Sequence, residues 1–212
     1  TETYGHVTEC LWQDNDWASV TDEERATIKA RQGVAMPMME DITVMDDKME
    51  QIPMDSATQG EIMIRGNSVM KGYYKNKEAT NSAFKGGYFH SGDIAIQHSD
   101  SYIQIADRAK DIIISGGENI SSVEVEGVLM AHESVSLCAV VAMPDEKWGE
   151  VPCAFVELLP KTVTSEDELI DFSRSKIAGF KCPKKIIFCE LPKTSTGKIQ
   201  KFELRKVAKE LS

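Results

Sequence analysis

The feature that most constrains the fold is a change in apolar spacing near the middle of the chain. Before residue 106, apolar residues come in short groups separated by turn formers. Gly60-Glu-Ile-Met-Ile-Arg-Gly66 has apolar residues at 62 and 64 between glycines and predicts a strand. Tyr88–His90, Ile94–Gln97 and Tyr102–Ile105 predict a meander, with turns at Gly92-Asp93 and Ser99-Asp100. Thr21 and Glu24 form a capping-box pair, which opens a short polar helix over 21–31. Glu78–Phe84 has room for one or two helical turns.

After residue 107, strand and helix patterns alternate. Ile112–Ile114 predicts a buried strand and Ser115-Gly116-Gly117 a turn. Ser121 and Glu124 open a helix that runs to about Ala131. Val135–Met143 predicts a strand closed by Pro144-Asp145, and Cys153–Leu159 another. Ser165–Ile177 is amphipathic, Ile186–Cys189 extended and Glu203–Leu211 helical. The expected fold class is therefore mixed α/β: a β-rich portion over 1–106 and a small α+β domain over 107–212. No Pro/Gly/Ser-rich tether separates them, so the joint reads as a short hinge.

Composition narrows the function classes. The 212 residues carry a net charge of -10, which argues against nonspecific binding to nucleic acid or to an anionic membrane. No apolar run reaches membrane-spanning length, so no integral membrane association is expected. Five cysteines without a CxxC pair read as reduced thiols, and with no leader in sight they point to a cytoplasmic protein. The tail Lys209-Glu-Leu-Ser212 matches neither a peroxisomal tripeptide nor an ER-retention signal. Residues 181–212 hold 9 basic and 3 acidic side chains, a local charge that suits an anionic ligand or a solvated face.

Three motifs could carry chemistry. Tyr88-Phe-His-Ser-Gly-Asp93 sets a carboxylate beside a glycine, where it could accept hydrogen bonds from a vicinal diol; it could equally be an ordinary turn. Asp107-Arg-Ala-Lys-Asp111 is followed by Gly116-Gly117, where a ligand could approach the backbone closely. Pro192-Lys-Thr-Ser-Thr-Gly-Lys198-Ile-Gln-Lys201 ends a glycine turn on a lysine. It is no phosphate loop of the Walker type, since the first glycine is missing and Ile199 stands where Ser or Thr would hold magnesium.

Taken in order, Thr1-Glu2, YFHSGD, DRAKDIIISGGENISSVEVE and PKTSTGKIQK resemble the adenylate-forming superfamily over essentially the whole chain. SGGENISSVEVE and DEKWGEVPCAFV are most similar to short- and medium-chain fatty acyl-CoA synthetases, plant-type acyl-activating enzymes and methylmercaptopropionate-CoA ligases. The resemblance implies an ATP-dependent acid–thiol ligase that forms an acyl-adenylate and then a coenzyme A thioester. It implies that 1–106 is the tail of a large AMP-binding domain whose phosphate loop and acyl pocket lie upstream. Residues 107–212 would be the small mobile lid domain.

By the same resemblance, Thr1 contacts the AMP phosphate, Glu2 holds Mg2+, Asp93 grips the ribose and Arg108 supports it. Lys198 bridges the substrate carboxylate and the α-phosphate. Lys110 is the hinge, and Gly116-Gly117 lines the coenzyme A route, with Trp148 nearby. Asn119 stands where some members carry an arginine for coenzyme A phosphate, leaving Lys181, Lys184 and Lys185 as substitutes. The implied partners are a short- or medium-chain carboxylate, ATP, coenzyme A and the missing N-terminal portion. Alternative readings are a stand-alone nucleotide- or coenzyme-A-binding module, a relic without catalysis, or an adenylation domain that loads a carrier protein.

Overall fold

The computed structural model describes residues 1–211, apart from the side chains of residues 15 and 16. Ser212, the last residue of the tail tetrapeptide, lies outside them. The chain divides into two compact units, Thr1–Ala109 and Lys110–Ser212.

The first unit opens with β1 (Thr8–Glu9), α1 (Asp14–Trp17), α2 (Asp22–Lys29) and β2 (Val34–Ala35), the two short strands pairing antiparallel. The Thr21 hydroxyl accepts from Glu24 N–H, and the Glu24 carboxylate reaches back to Thr21 N–H at 2.8 Å, closing the capping box of α2. A four-stranded antiparallel sheet follows in the order β3 (Met39–Met45), β4 (Gly60–Gly66), β5 (Phe89–Gln97), β6 (Ile103–Arg108). α3 (Lys77–Ala83) and a 3-10 turn at Lys85–Gly87 join β4 to β5. Ile42, Val44, Ile62, Ile64, Phe89 and Ile103 form the core.

β5 runs unbroken, so the turn expected at Gly92-Asp93 is corrected: both residues lie inside one strand. There the pairing slips between Glu61 and Met63 on β4, and between Ile94 and Ala95 against β6. Gly92 sits at φ +71°, a left-handed value that only a residue without a Cβ takes easily. The sequence signal for a chain reversal is the same as that for a bulge, because both need positive φ.

In the second unit, β7 (Ile113–Ser115) and β8 (Glu118–Ile120) make a hairpin across Gly116-Gly117. α4 (Ser122–Met130) follows, capped by the Ser121 hydroxyl at 3.1 Å from Glu124 N–H. The sheet is built on β9 (Val135–Asp145) and β10 (Gly149–Leu158), a long antiparallel hairpin. Pro144-Asp145 therefore does not close β9; both residues still pair, with Glu150 and Gly149. α5 (Glu166–Arg174) leads to β11 (Lys185–Phe188), which pairs parallel to β10, and α6 (Lys201–Glu210) ends the unit.

The apolar runs of β9 and β10 are explained by burial on both faces. Val140, Ala154 and Val156 pack with Val125, Leu129 and Leu169 of α4 and α5. Their neighbours Val141, Cys153 and Phe155 pack with Leu204 and Ala208 of α6. All five cysteines are free thiols. Burial pushes Cys138 and Cys153 up to about 12, so neither is a nucleophile near neutral pH.

Leu169 is fully buried against this sheet. Leu169→Ala should lower the stability of the second unit by about 2–5 kcal/mol. Urea unfolding read by the fluorescence of Trp148, in a chain with Trp12→Phe and Trp17→Phe, checks this.

Candidate functional site

Asp93 and Arg108 are cross-strand partners on β5 and β6, and Arg108 Nε lies 2.6 Å from Asp93 Oδ1. The antiparallel register brings together two residues fifteen positions apart in sequence. Burial pushes the Asp93 carboxyl above the ordinary carboxylate range; Arg108 pulls it back and the charge of Glu61 adds to the rise. An ionised carboxylate offers two oxygens and about four acceptor positions, so a single ion pair does not exhaust it.

Glu61 is a residue that motif reasoning missed. One of its oxygens accepts Gly92 N–H at 2.8 Å, and the other lies 2.9 Å from His90 Nδ1. The signal was an acid between Gly60 and Ile62 inside a strand, a position that calls for a partner.

Thr1 is exposed and Glu2 half-buried. Their segment is held by backbone bonds from Met70 N–H to Glu2 O at 2.7 Å and from Tyr4 N–H to Ser68 O at 2.8 Å. The Tyr73 hydroxyl lies 3.5 Å from the Glu2 carboxylate. Hydrogen bonding, chiefly to its own backbone N–H, holds Glu2 below the usual carboxylate range. Among the described residues no group of three or more His, Cys, Asp or Glu gathers as a metal cage.

Lys198 lies on the exposed turn before α6. Lys198 N–H donates to Thr194 Oγ1 at 3.1 Å, and Thr194 N–H donates to Lys198 O at 2.8 Å. Gly197 turns the chain at φ +83°. Both ends of the loop are tied to the body of the unit. At one end Lys193 pairs with Glu157 of β10 at 2.9 Å, and the same carboxylate accepts Leu191 N–H at 2.6 Å. At the other, Lys201 pairs with Glu126 of α4 at 2.7 Å and donates to Ser122 Oγ at 2.8 Å. These anchors carry no motif signature, since an acid on one element and a base on another are legible only when folded.

The basic C-terminal stretch is largely neutralised within its own unit. Lys181, Lys185, Lys193, Lys201 and Arg205 pair with Glu124, Glu166, Glu157, Glu126 and Asp111. Lys198 and Lys184 have no carboxylate within ion-pair distance among the described residues. Lys184 lines a cavity of about 150 Å³ with Ser115, Gly116, Glu118, Trp148 and Phe180.

Gly116 is crowded there. Its N–H donates to Trp148 O at 2.8 Å, and a Cβ on it would sit 2.8 Å from the Trp148 ring. A Cβ on Gly117 would meet nothing within 4 Å, so that glycine is needed for its φ of +90° alone. Lys110 is exposed at the first position of the second unit, and Arg205 ties the Lys110 carbonyl and Asp111 to α6. Asn119 is exposed on β8. Of the sequence-predicted residues, Thr1, Glu2, Asp93 and Arg108 thus belong to the first unit, and Lys110, Gly116, Gly117 and Lys198 to the second.

The AMP-binding enzyme family matches residues 1–74, and the AMP-binding enzyme C-terminal domain matches residues 124–198. An acetate–CoA ligase of Humulus lupulus is 51% identical over 99% of the chain. A peroxisomal acetate/butyrate–CoA ligase of Arabidopsis thaliana is 50% identical over the same share. The chain spans 38% of the length of each. An ATP-bound MatB from Rhodopseudomonas palustris superposes with a TM-score of 0.80 at 31% identity, covering 86% of this chain and 36% of that one. Relatives from Petunia hybrida and Arabidopsis thaliana that are peroxisomal by name overturn the cytoplasmic expectation. An organelle address is read by a receptor from a few residues, so composition and thiol count do not reveal it. With both parts of the family matched in order along one chain, the chain belongs to the AMP-binding enzymes, the adenylate-forming superfamily.

Proposed function

We propose that the protein is an ATP-dependent carboxylate–CoA ligase of the peroxisome, with this chain supplying part of its AMP-binding domain and its small lid domain. The observation that carries this reading is the near-complete coverage of the chain, at about half identity, by proteins named as CoA ligases for small acids. In the first half-reaction a carboxylate oxygen attacks the α-phosphorus of ATP and pyrophosphate leaves. In the second, the coenzyme A sulfur attacks the acyl carbon, the thiol proton is lost and AMP departs.

Asp93 accepts hydrogen bonds from the ribose hydroxyls, and Arg108 keeps that carboxylate oriented. Thr1 contacts the AMP phosphate. Lys198 supplies a point charge to the carboxylate and α-phosphate as they approach, and its freedom from an internal partner suits that task. Glu2 would hold the magnesium ion that neutralises the ATP phosphates; one carboxylate fits, because phosphate and water oxygens fill the remaining positions. Lys110 is the hinge between half-reactions. Gly116-Gly117 and Trp148 line the thiol's path, and short- or medium-chain acids are the substrate class.

Lys198→Ala in the complete ligase should lower adenylate formation at least about a hundredfold, the scale of a lost transition-state charge contact. Thioester formation from supplied acyl-adenylate should be largely kept, and equal loss of both halves would refute the role. Gly116→Ala should give the opposite split, because its methyl displaces Trp148; intact thioester formation would place the coenzyme A route elsewhere.

The Asp93 carboxyl titrates above its unfolded value, so the folded state binds more protons and loses stability as pH rises through the interval between the two values. Asp93→Asn should therefore raise the thermal midpoint at neutral pH while weakening ATP binding. A fall in both would show that Asp93 is a structural ion-pair residue.

A further inference from the structure

We propose that Glu61 and His90 are positioning residues for Asp93, holding the bulge of β5 through a clasp that is complete in only one protonation state. The inference rests on the reading of Asp93 as the ribose-binding residue.

The register slip leaves Ser91, Gly92 and Asp93 without Cα partners on β4. Gly92 is nevertheless fixed on both sides. Its carbonyl accepts Ala109 N–H at 2.9 Å, and its N–H donates to Glu61 Oε1 at 2.8 Å. The Glu61 side chain thus stands in for the main-chain acceptor that β4 does not provide. Asp93 is the next residue, and its N–H donates to Ser91 Oγ at 3.1 Å. Its position toward Arg108 follows from the way Gly92 is held.

The other half of the clasp sets its proton count. His90 Nδ1 lies 2.9 Å from Glu61 Oε2, and Nε2 lies 3.0 Å from the Lys85 carbonyl oxygen. A carbonyl only accepts, so Nε2 must carry hydrogen. An ionised carboxylate also only accepts, so a proton must lie between Nδ1 and Oε2. If that proton leaves, one of the two bonds is lost, and Glu61 is no longer braced against Gly92. The side chains of His90 and Glu61 are only 21% and 24% exposed, so water does not readily replace what is lost. The charged and titratable groups in contact at the clasp are Glu61 on β4 and His90 on β5, with Asp93 beside them paired to Arg108 of β6.

The test has a spectroscopic and a kinetic arm. In the native chain, the His90 ring and the Gly92 amide should titrate with a single midpoint by NMR. In Glu61→Gln the amide oxygen accepts Gly92 N–H and the amide nitrogen donates to a neutral Nδ1. Gly92 should then stop following the ring. In the complete ligase, KM for ATP should rise once pH is high enough to remove the shared proton. The effect should fall on KM rather than kcat. Glu61→Gln should flatten this profile, and Glu61→Ala should raise KM about tenfold at every pH, the factor expected when a half-buried N–H loses its acceptor. A native pH profile in Glu61→Gln, a native KM in Glu61→Ala, or a Gly92 amide indifferent to the His90 ring would each overturn the proposal. A native KM for ATP in Asp93→Ala would instead remove the ribose assignment, while a shared NMR midpoint would still uphold the clasp.

Discussion

Burial of the β9–β10 hairpin on both faces is the constraint on which the second unit depends. Alternate residues of each strand point to opposite sides, so Val140 and Val141 serve two different cores. One core needs α4 and α5 as cover, the other α6. Placing α6 also places the loop that precedes it, and with it Lys198. The chemistry proposed for that lysine is therefore a consequence of sheet packing two layers away.

Charge does the finer positioning. Glu157 on β10 and Glu126 on α4 hold the lysines on either side of the Lys198 turn. Pairs like these, partly out of water, add little net stability but fix geometry. They also consume the surrounding basic charge, whereas Lys198 has no carboxylate within ion-pair distance among the described residues. The positive charge of the C-terminal stretch is thus mostly internal wiring.

The first unit uses an acid in a different way. A bulge in β5 interrupts the ladder beside Asp93, and a buried sheet tolerates such a gap only if the freed backbone groups find partners. Glu61 and Ala109 supply them at Gly92. A glycine, an acid on the neighbouring strand and a histidine together fix the backbone at the bulge.

Much was legible from the residues alone. Periodicity located β4, β9 and α5, and hydroxyl–acid spacing marked the starts of α2 and α4, because these are local rules of backbone and side chain. The ordered motifs from Thr1-Glu2 to Lys198 revealed the family, since family chemistry is written in short contiguous stretches. Other features needed the tertiary structure. Gly92-Asp93 reads as a turn in sequence and is a bulge in space, because positive φ serves both. β8 is three residues long, too short to show a period. The contact of Asp93 with Arg108, the Glu61 clasp and the Glu126 and Glu157 anchors join residues far apart in the chain. Strand register and helix packing decide such contacts, and those are set by the sum of the buried surface rather than by any local pattern.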